Sequence, residues 1–255
     1  MKYIEKRLGE IRKNNFGTEM KIIRYNSYYN ITVQFQDKYK FERDTTYSNF
    51  KKGNVRNPYD KTVLDMGYLG VGKYLTQDET KENSREHMCW KHMIERCYTE
   101  KHADIHRAYY GICTICDEWL NFQAFAEWYD KNKYKCDGRL HLDKDIRYPG
   151  NKIYSQETCL LVPQRINMLF MNKSNKRGLP NGISECPEGY LAMYNGKMIG
   201  IYSTVEDAYY EQTKKKKEEI IRVANEYKSI MPKEVYDAIL AYEFKIENDK
   251  NYKVA

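Results

Sequence analysis

The chain has 255 residues, 41% hydrophobic and 14% aromatic, enough to bury real cores and too apolar for wholesale disorder. It holds no run approaching the roughly 18 apolar residues of a membrane span, and its opening MKYIEKRLGE lacks an apolar leader, which predicts a soluble, unexported protein. Seven cysteines without a tight framework suit free or metal-bound thiols in a reducing cytoplasm, and the net charge of +7 is modest.

That charge is unevenly placed. Residues 1–75 carry 15 Lys/Arg against 8 Asp/Glu, whereas residues 76–170 carry 14 against 15 and residues 171–255 carry 14 against 13. Smaller basic clusters stand at Lys173–Arg177 and Lys214–Lys217. Cations beside aromatic rings suit nucleic acid, because they release condensed counterions while rings stack on bases. The competing reading is solvated surface charge.

In chain order, Lys21–Tyr25 and Tyr29–Phe35 mix β-branched and aromatic residues in partial alternation, which predicts strands. Turns follow at Gly53-Asn54 and Asn57-Pro58. Glycines 67, 70 and 72 lie in a stretch that runs into polar sequence rather than a helix, so it reads as linker or turn and not as a phosphate loop. Ser84 caps a predicted helix with Trp90, Met93, Ile94 and Cys97 at helical spacing, and a second helix is predicted from Asp117 to Asp130. A strand follows at Arg139–Ile146, a turn at Tyr148–Asn151 and an apolar stretch at Leu160–Phe170, helical in its later part. After a basic linker at Lys173–Gly178, strands are predicted near Gly182–Glu185, Tyr190–Tyr194 and Met198–Tyr202, the last two joined by the hairpin signal Asn195-Gly196. Thr204 caps a long helix from Glu206 to Ser229, and Met231-Pro232 opens another, with Val235, Ile239 and Tyr242 on one face. The expectation is a multi-module α+β chain: a β-rich basic module at 1–75, a helical and ββα module at 76–172, and a sheet-helix module at 173–255.

The stretch from His141 to Asn167 is the richest in chemistry. On a strand, His141, Asp143 and Asp145 share one face, since side chains alternate. Two carboxylates and an imidazole there repel unless a cation intervenes, and Asn167 can add a neutral oxygen from the following helix. Ordinary salt bridges on a solvated strand are the alternative.

This segment resembles the HNH, or ββα-metal, endonucleases of phages and mobile introns. The resemblance places the metal-ligand aspartate at Asp143, the loop asparagine at Asn151 and the helix ligand at Asn167, and it implies one magnesium or manganese ion and hydrolysis of DNA. The position of the family's general-base histidine holds Lys144. Lysine is a poor base unless its pKa is strongly depressed, so Lys144, His141 and Asp145 all stand as candidate bases, and a phosphate-binding lysine in a non-hydrolytic site is equally consistent.

Residues 180–212 resemble the DNA-binding domain of plant ethylene-response factors, on Gly182-Ile183, Gly189–Ala192, Ile199–Tyr202, Thr204 and Glu206–Tyr209. That domain is a three-stranded sheet on one helix whose sheet enters the major groove. The strands here carry no arginine, which limits base readout. The expected DNA contacts are Lys176, Arg177, Tyr190, Tyr194 and Lys197. From Trp90 onward the arrangement resembles Firmicutes-phage proteins of HNH or DNA-binding type, and residues 1–75 more weakly resemble their small, barrel-like N-terminal modules. Cys113 and Cys116 form half of a zinc site with no second pair at regular spacing, so zinc is not expected, and His102 and His106 read as surface histidines. The leading expectation is therefore a phage-type endonuclease acting on double-stranded DNA in the host cytoplasm. The alternatives are a non-hydrolytic DNA-binding protein in regulation or in antagonism of host defence, and a protein-interaction module with basic patches.

Overall fold

Alternation drives the first sheet. In β2 (Glu19–Ser27) Met20 and Ile22 point inward, and in β3 (Asn30–Phe35) Ile31, Val33 and Phe35 do the same. With β1 (Ile11–Lys13) and β4 (Glu42–Thr45) they form an antiparallel meander of order β1-β2-β3-β4. Helix α1 (Tyr47–Lys52) closes this core with Tyr47 and Phe50, beside Val55. Thr46 caps α1 through Asn49 N, and Gly53 ends it at φ 72°, a conformation open to glycine at little cost. The computed structural model describes residues 7–252, so the opening MKYIEK, on which the exclusion of a leader partly rests, lies outside them. The fold is α+β and divides into two units, Met1–Glu127 and Trp128–Ala255. The division falls inside the expected 76–172 segment.

In the first unit the glycine stretch is a strap laid over helices. A Cβ on Gly67 would lie 2.6 Å from Ile94 and 2.7 Å from Trp90, and one on Gly70 would lie 2.3 Å from Asn121. Tyr68 N donates to Leu120 O and Phe122 N to Tyr68 O, both at 2.9 Å, while the Gln123 side chain holds both backbone groups of Tyr74. These glycines serve close approach rather than phosphate binding. Helix α2 (Arg85–Tyr98) is capped by Ser84 and buries Trp90, Met93, Ile94 and Cys97 as its spacing predicts. The expected helix at 117–130 is broken: a 3-10 turn, Asp117–Leu120, precedes α3 (Phe122–Asn132). Asn121 between them is extended and its Oδ1 accepts Gln123 N, the local bonding by which asparagine competes with helix. His87 packs edge-on to Phe122, where burial holds its pKa down.

The second unit opens with an antiparallel pair, β5 (Leu140–Asp143) and β6 (Leu160–Pro163), in register His141 to Val162 and Asp143 to Leu160. Helix α4 (Gln164–Phe170) follows directly. Then β7 (Ile183–Cys186), β8 (Gly189–Tyr194) and β9 (Lys197–Tyr202) form a meander of order β9-β8-β7. Asn195 and Gly196, at φ 49° and 75°, make the turn the Asn-Gly pair predicts. Helix α5 (Val205–Tyr227), capped by Thr204, joins two cores. Its first half packs Ala208 on Ile183 and Ala192 of the sheet; its second half packs Ile220, Val223 and Ala224 on Leu160, Val162 and Ile166 of the hairpin and helix. Helix α6 (Lys233–Ala241) completes that second core with Val235 and Ile239, and Tyr242 stands just beyond its end. The expected linker at 173–178 is pinned by amides: Asn251 donates to Asn172 Oδ1 and Lys173 O, and Asn175 N donates to Asn251 Oδ1.

Candidate functional site

The hairpin β5-β6 with α4 positions the chemistry singled out from the sequence. Leu142 turns into the core, which puts His141 and Asp143 on the opposite face of β5. Asn167, in the first turns of α4, brings its Nδ2 to 3.3 Å from His141 Nδ1. In this arrangement the amide donates and Nδ1 accepts.

Strand β5 is shorter than the expected 139–146 because Asp143 turns the chain. Its Oδ1 accepts Asp145 N at 2.8 Å and Ile146 N at 2.7 Å. The strand therefore ends at Asp143 rather than Ile146, and the Asp145 carboxylate turns to Lys144. Burial, with a contribution from Asp145, pushes the Asp143 carboxyl up to about 6 against the pull of the Ile146 amide.

Lys144 is 4% exposed, and its Nζ donates to Asp145 Oδ1 and Oδ2 at 2.7 and 2.9 Å and to Asn151 O at 2.7 Å. An ammonium in that role has no lone pair with which to take a proton from water. The position that the resemblance gives to a general base thus holds a lysine engaged in an ion pair with Asp145. Asn151 braces the same loop from the other side: its Nδ2 donates to Lys144 O at 2.9 Å and Ile153 O at 2.7 Å, and its Oδ1 accepts Ile153 N at 3.1 Å. Its role is positional.

Sequence reasoning missed Tyr242, whose hydroxyl is pushed up to about 12 by burial and then by Asp145 and Asp143. It also missed Arg147, which ties the loop to Glu157 O at 2.8 Å and to Glu234 of α6 at 3.1 Å. Neither carries a local signal, since both act through segments distant along the chain.

Asp143 and Asn167 are the residues here with oxygens to offer a cation. Asp143 has its Oδ2 outside the turn bonds, Asn167 has its Oδ1 outside the contact with His141, and a half-buried carboxylate held this high is relieved by a positive neighbour. Magnesium is commonly held by one or two carboxylates with water and phosphate completing the shell. Among the described residues no group of three His, Cys, Asp or Glu is placed to hold a metal.

The expected DNA contacts divide. Lys176 and Lys197 are exposed, and Arg177 is exposed but spends one guanidinium N–H on Ile183 O at 3.1 Å. Tyr190 packs against the Ile183, Ala192 and Ala208 core, and Tyr194, further along β8, shares that helix side of the sheet. The open side carries Leu191, Met198 and Ile201, the last two 61% and 42% exposed. The basic cluster at 214–217 divides as well. Lys214 pairs with Glu211 at 3.5 Å, Lys215 with Glu218 at 2.9 Å, and Lys217 donates to the carbonyls of Ile239, Leu240 and Tyr242. In the first unit Lys13, Lys21, Lys51 and Lys52 are exposed, and Tyr28 and Tyr29 crown the β2-β3 hairpin, Tyr29 at 79% exposure. Comparison with protein-family models, with curated proteins and with solved structures finds no match.

Proposed function

We propose that this chain is a double-stranded DNA-binding protein that keeps the ββα hairpin of metal-dependent nucleases as a phosphate-holding scaffold and does not hydrolyse DNA at an appreciable rate. Its place of action is the cytoplasm of a phage-infected bacterial host. The carrying observation is the fixed ion pair of Lys144 with Asp145 where the nuclease base would stand. His141 does not replace that base easily. With Asn167 donating to Nδ1, that nitrogen is committed as an acceptor and the ring proton sits on Nε2. Turning the Asn167 carboxamide over would make Nε2 an acceptor but would commit Oδ1 to His141. Asn167 can orient a base or offer its oxygen to a cation, and one conformer does not do both.

One observation favours a second reading, metal-dependent endonuclease activity. Asp143 leaves its Oδ2 outside its turn bonds, and Asn167 leaves its Oδ1 outside its contact with His141. Bound magnesium or manganese, held by Asp143 and Asn167, would supply charge stabilisation at the scissile phosphate. Asp143 would be fixed for that task by its turn bonds, and His141 would contact the phosphate.

Incubating the protein with supercoiled plasmid, with and without magnesium or manganese, separates the two. The first reading expects intact plasmid together with a duplex shift that weakens as salt rises. Cleavage by the wild type that disappears in Asp143→Ala would replace it with the second. A shift insensitive to salt, or none, would remove both and leave a protein partner for the basic patches.

A further inference from the structure

Five aromatic side chains, Phe170, Tyr194, Tyr209, Tyr242 and Phe244, line a cleft of about 380 Å³ in the second unit, and the ammonium group of Lys216 lines it with them. Phe170, Tyr242 and Phe244 form a three-ring cluster. Tyr242 meets each of the other two at 4.9 Å between centroids, and the two phenylalanines lie 6.3 Å apart and nearly parallel. Lys216 Nζ stands 4.8 Å from the Phe244 centroid.

The lysine is the unusual member. Lys214, Lys215 and Lys217 are all satisfied by carboxylates or carbonyls. Lys216 has no hydrogen bond or ion pair among the described residues. Burial holds its pKa down against the pull of Asp249, whose carboxylate also belongs to the cleft lining. A part-buried cation without a bonded counter-ion is costly, and an incoming anion would relieve it.

The rest of the cleft says what that anion carries. The rings offer apolar surface, and Gln212, Asn195 and Asn248 contribute carboxamides to the lining that can donate and accept. Inorganic phosphate would leave the rings unused, and an aliphatic acid would leave the amides unused. The walls are held in place beforehand. Lys217 grips the carbonyls at the end of α6, where Tyr242 begins the far wall, and Asn251 ties the chain's last described turn to Asn172 and Lys173. The volume lies within the range of small-molecule sites.

We infer that this cleft takes a single nucleotide, its base against the Phe170, Tyr242 and Phe244 rings and its phosphate paired with Lys216. Two sources share that chemistry: a free mononucleotide, and an unpaired nucleotide extruded from DNA. Only the second rests on the DNA-binding reading.

The test is calorimetric titration of the full chain with 2′-deoxynucleoside 5′-monophosphates, the matching nucleosides and inorganic phosphate. Saturable binding of a monophosphate is expected, about tenfold tighter than its nucleoside or phosphate alone, the worth of one charge-assisted contact. Lys216→Met should bring the monophosphate down to the nucleoside's affinity, and Lys216→Arg should restore most of the difference. Because the ammonium is poorly solvated, Lys216→Met should melt no lower than wild type, so weakened binding would not reflect damaged structure. A band shift then assigns the source. Preference for a duplex with one unpaired nucleotide over a fully paired one, abolished by Lys216→Met, assigns DNA; equal binding of both duplexes alongside mononucleotide binding assigns the free nucleotide. Absence of monophosphate binding at about 1 mM, or unchanged binding by Lys216→Met, would overturn the inference. Monophosphate binding without any duplex shift would sink the DNA-binding reading and leave the cleft's assignment standing.

Discussion

Replacing Asn151 with alanine tests whether the loop between β5 and β6 is held as described. The side chain makes three hydrogen bonds, to Lys144 O at 2.9 Å, Ile153 O at 2.7 Å and from Ile153 N at 3.1 Å. At about 0.5–1.5 kcal/mol net each, their sum is roughly 1.5–4.5 kcal/mol. Ile153 is exposed, so water re-forms its two bonds at little cost, whereas Lys144 is a buried residue whose carbonyl is harder to satisfy. The cost should settle near 2 kcal/mol, at the low end of that sum. For a unit of this size that lowers the melting temperature by roughly 5–10 °C, readable by calorimetry. Hydrogen exchange at the Ile153 amide should quicken in step, since that amide is deprived of its acceptor. A melting temperature within about 1 °C of wild type, with Ile153 still protected, would show that Asn151 does not brace the loop.

Gly67→Ala should destabilise the first unit by about 1–3 kcal/mol, because the new methyl meets Trp90 and Ile94 well inside contact distance; unchanged chemical denaturation would refute the strap. Tyr190→Ala should cost about 2 kcal/mol through poorer packing and leave the salt dependence of DNA binding as it was, so a flatter salt slope would return Tyr190 to the DNA contacts. Changing Lys21, Lys51 and Lys52 together to glutamine should flatten that slope by about 0.9 for each phosphate the protein ceases to neutralise, with folding unaltered by circular dichroism. An unchanged slope would end a DNA role for the first unit.

Local chemistry made much of this fold legible. Ser84 and Thr204 start helices because their hydroxyls serve backbone amides three residues on, and Asn195-Gly196 turns the hairpin because both positions need positive φ. The site was legible only as far as the strand lasts. His141 and Asp143 share a face as alternation requires, but Asp143 accepts two amides and ends the strand, which sends Asp145 to Lys144. No spacing rule reports that a carboxylate will spend itself on its own backbone. The aromatic residues of β8 failed differently: their period placed them on one face, and the choice of face belongs to α5, which covers Tyr190 and leaves Leu191 open. Lys214 to Lys217 read as one basic run, yet four consecutive positions on a helix point four ways. Each lysine there met a different neighbour.

The amide cluster of Asn172, Asn175, Asn181 and Asn251 changes what a break in the backbone would mean. Residues 173–178 look like a hinge at which a protease would separate the half with the β5-β6 hairpin from a sheet-helix half. Those amides cross-link the two sides of that stretch to each other and to the end of the chain, and α5 belongs to both cores. A nick between Lys176 and Arg177 would cut the polymer without dividing the particle. Its two pieces should migrate together until a denaturant parts them, and the second unit would behave as one object whatever the state of its covalent thread.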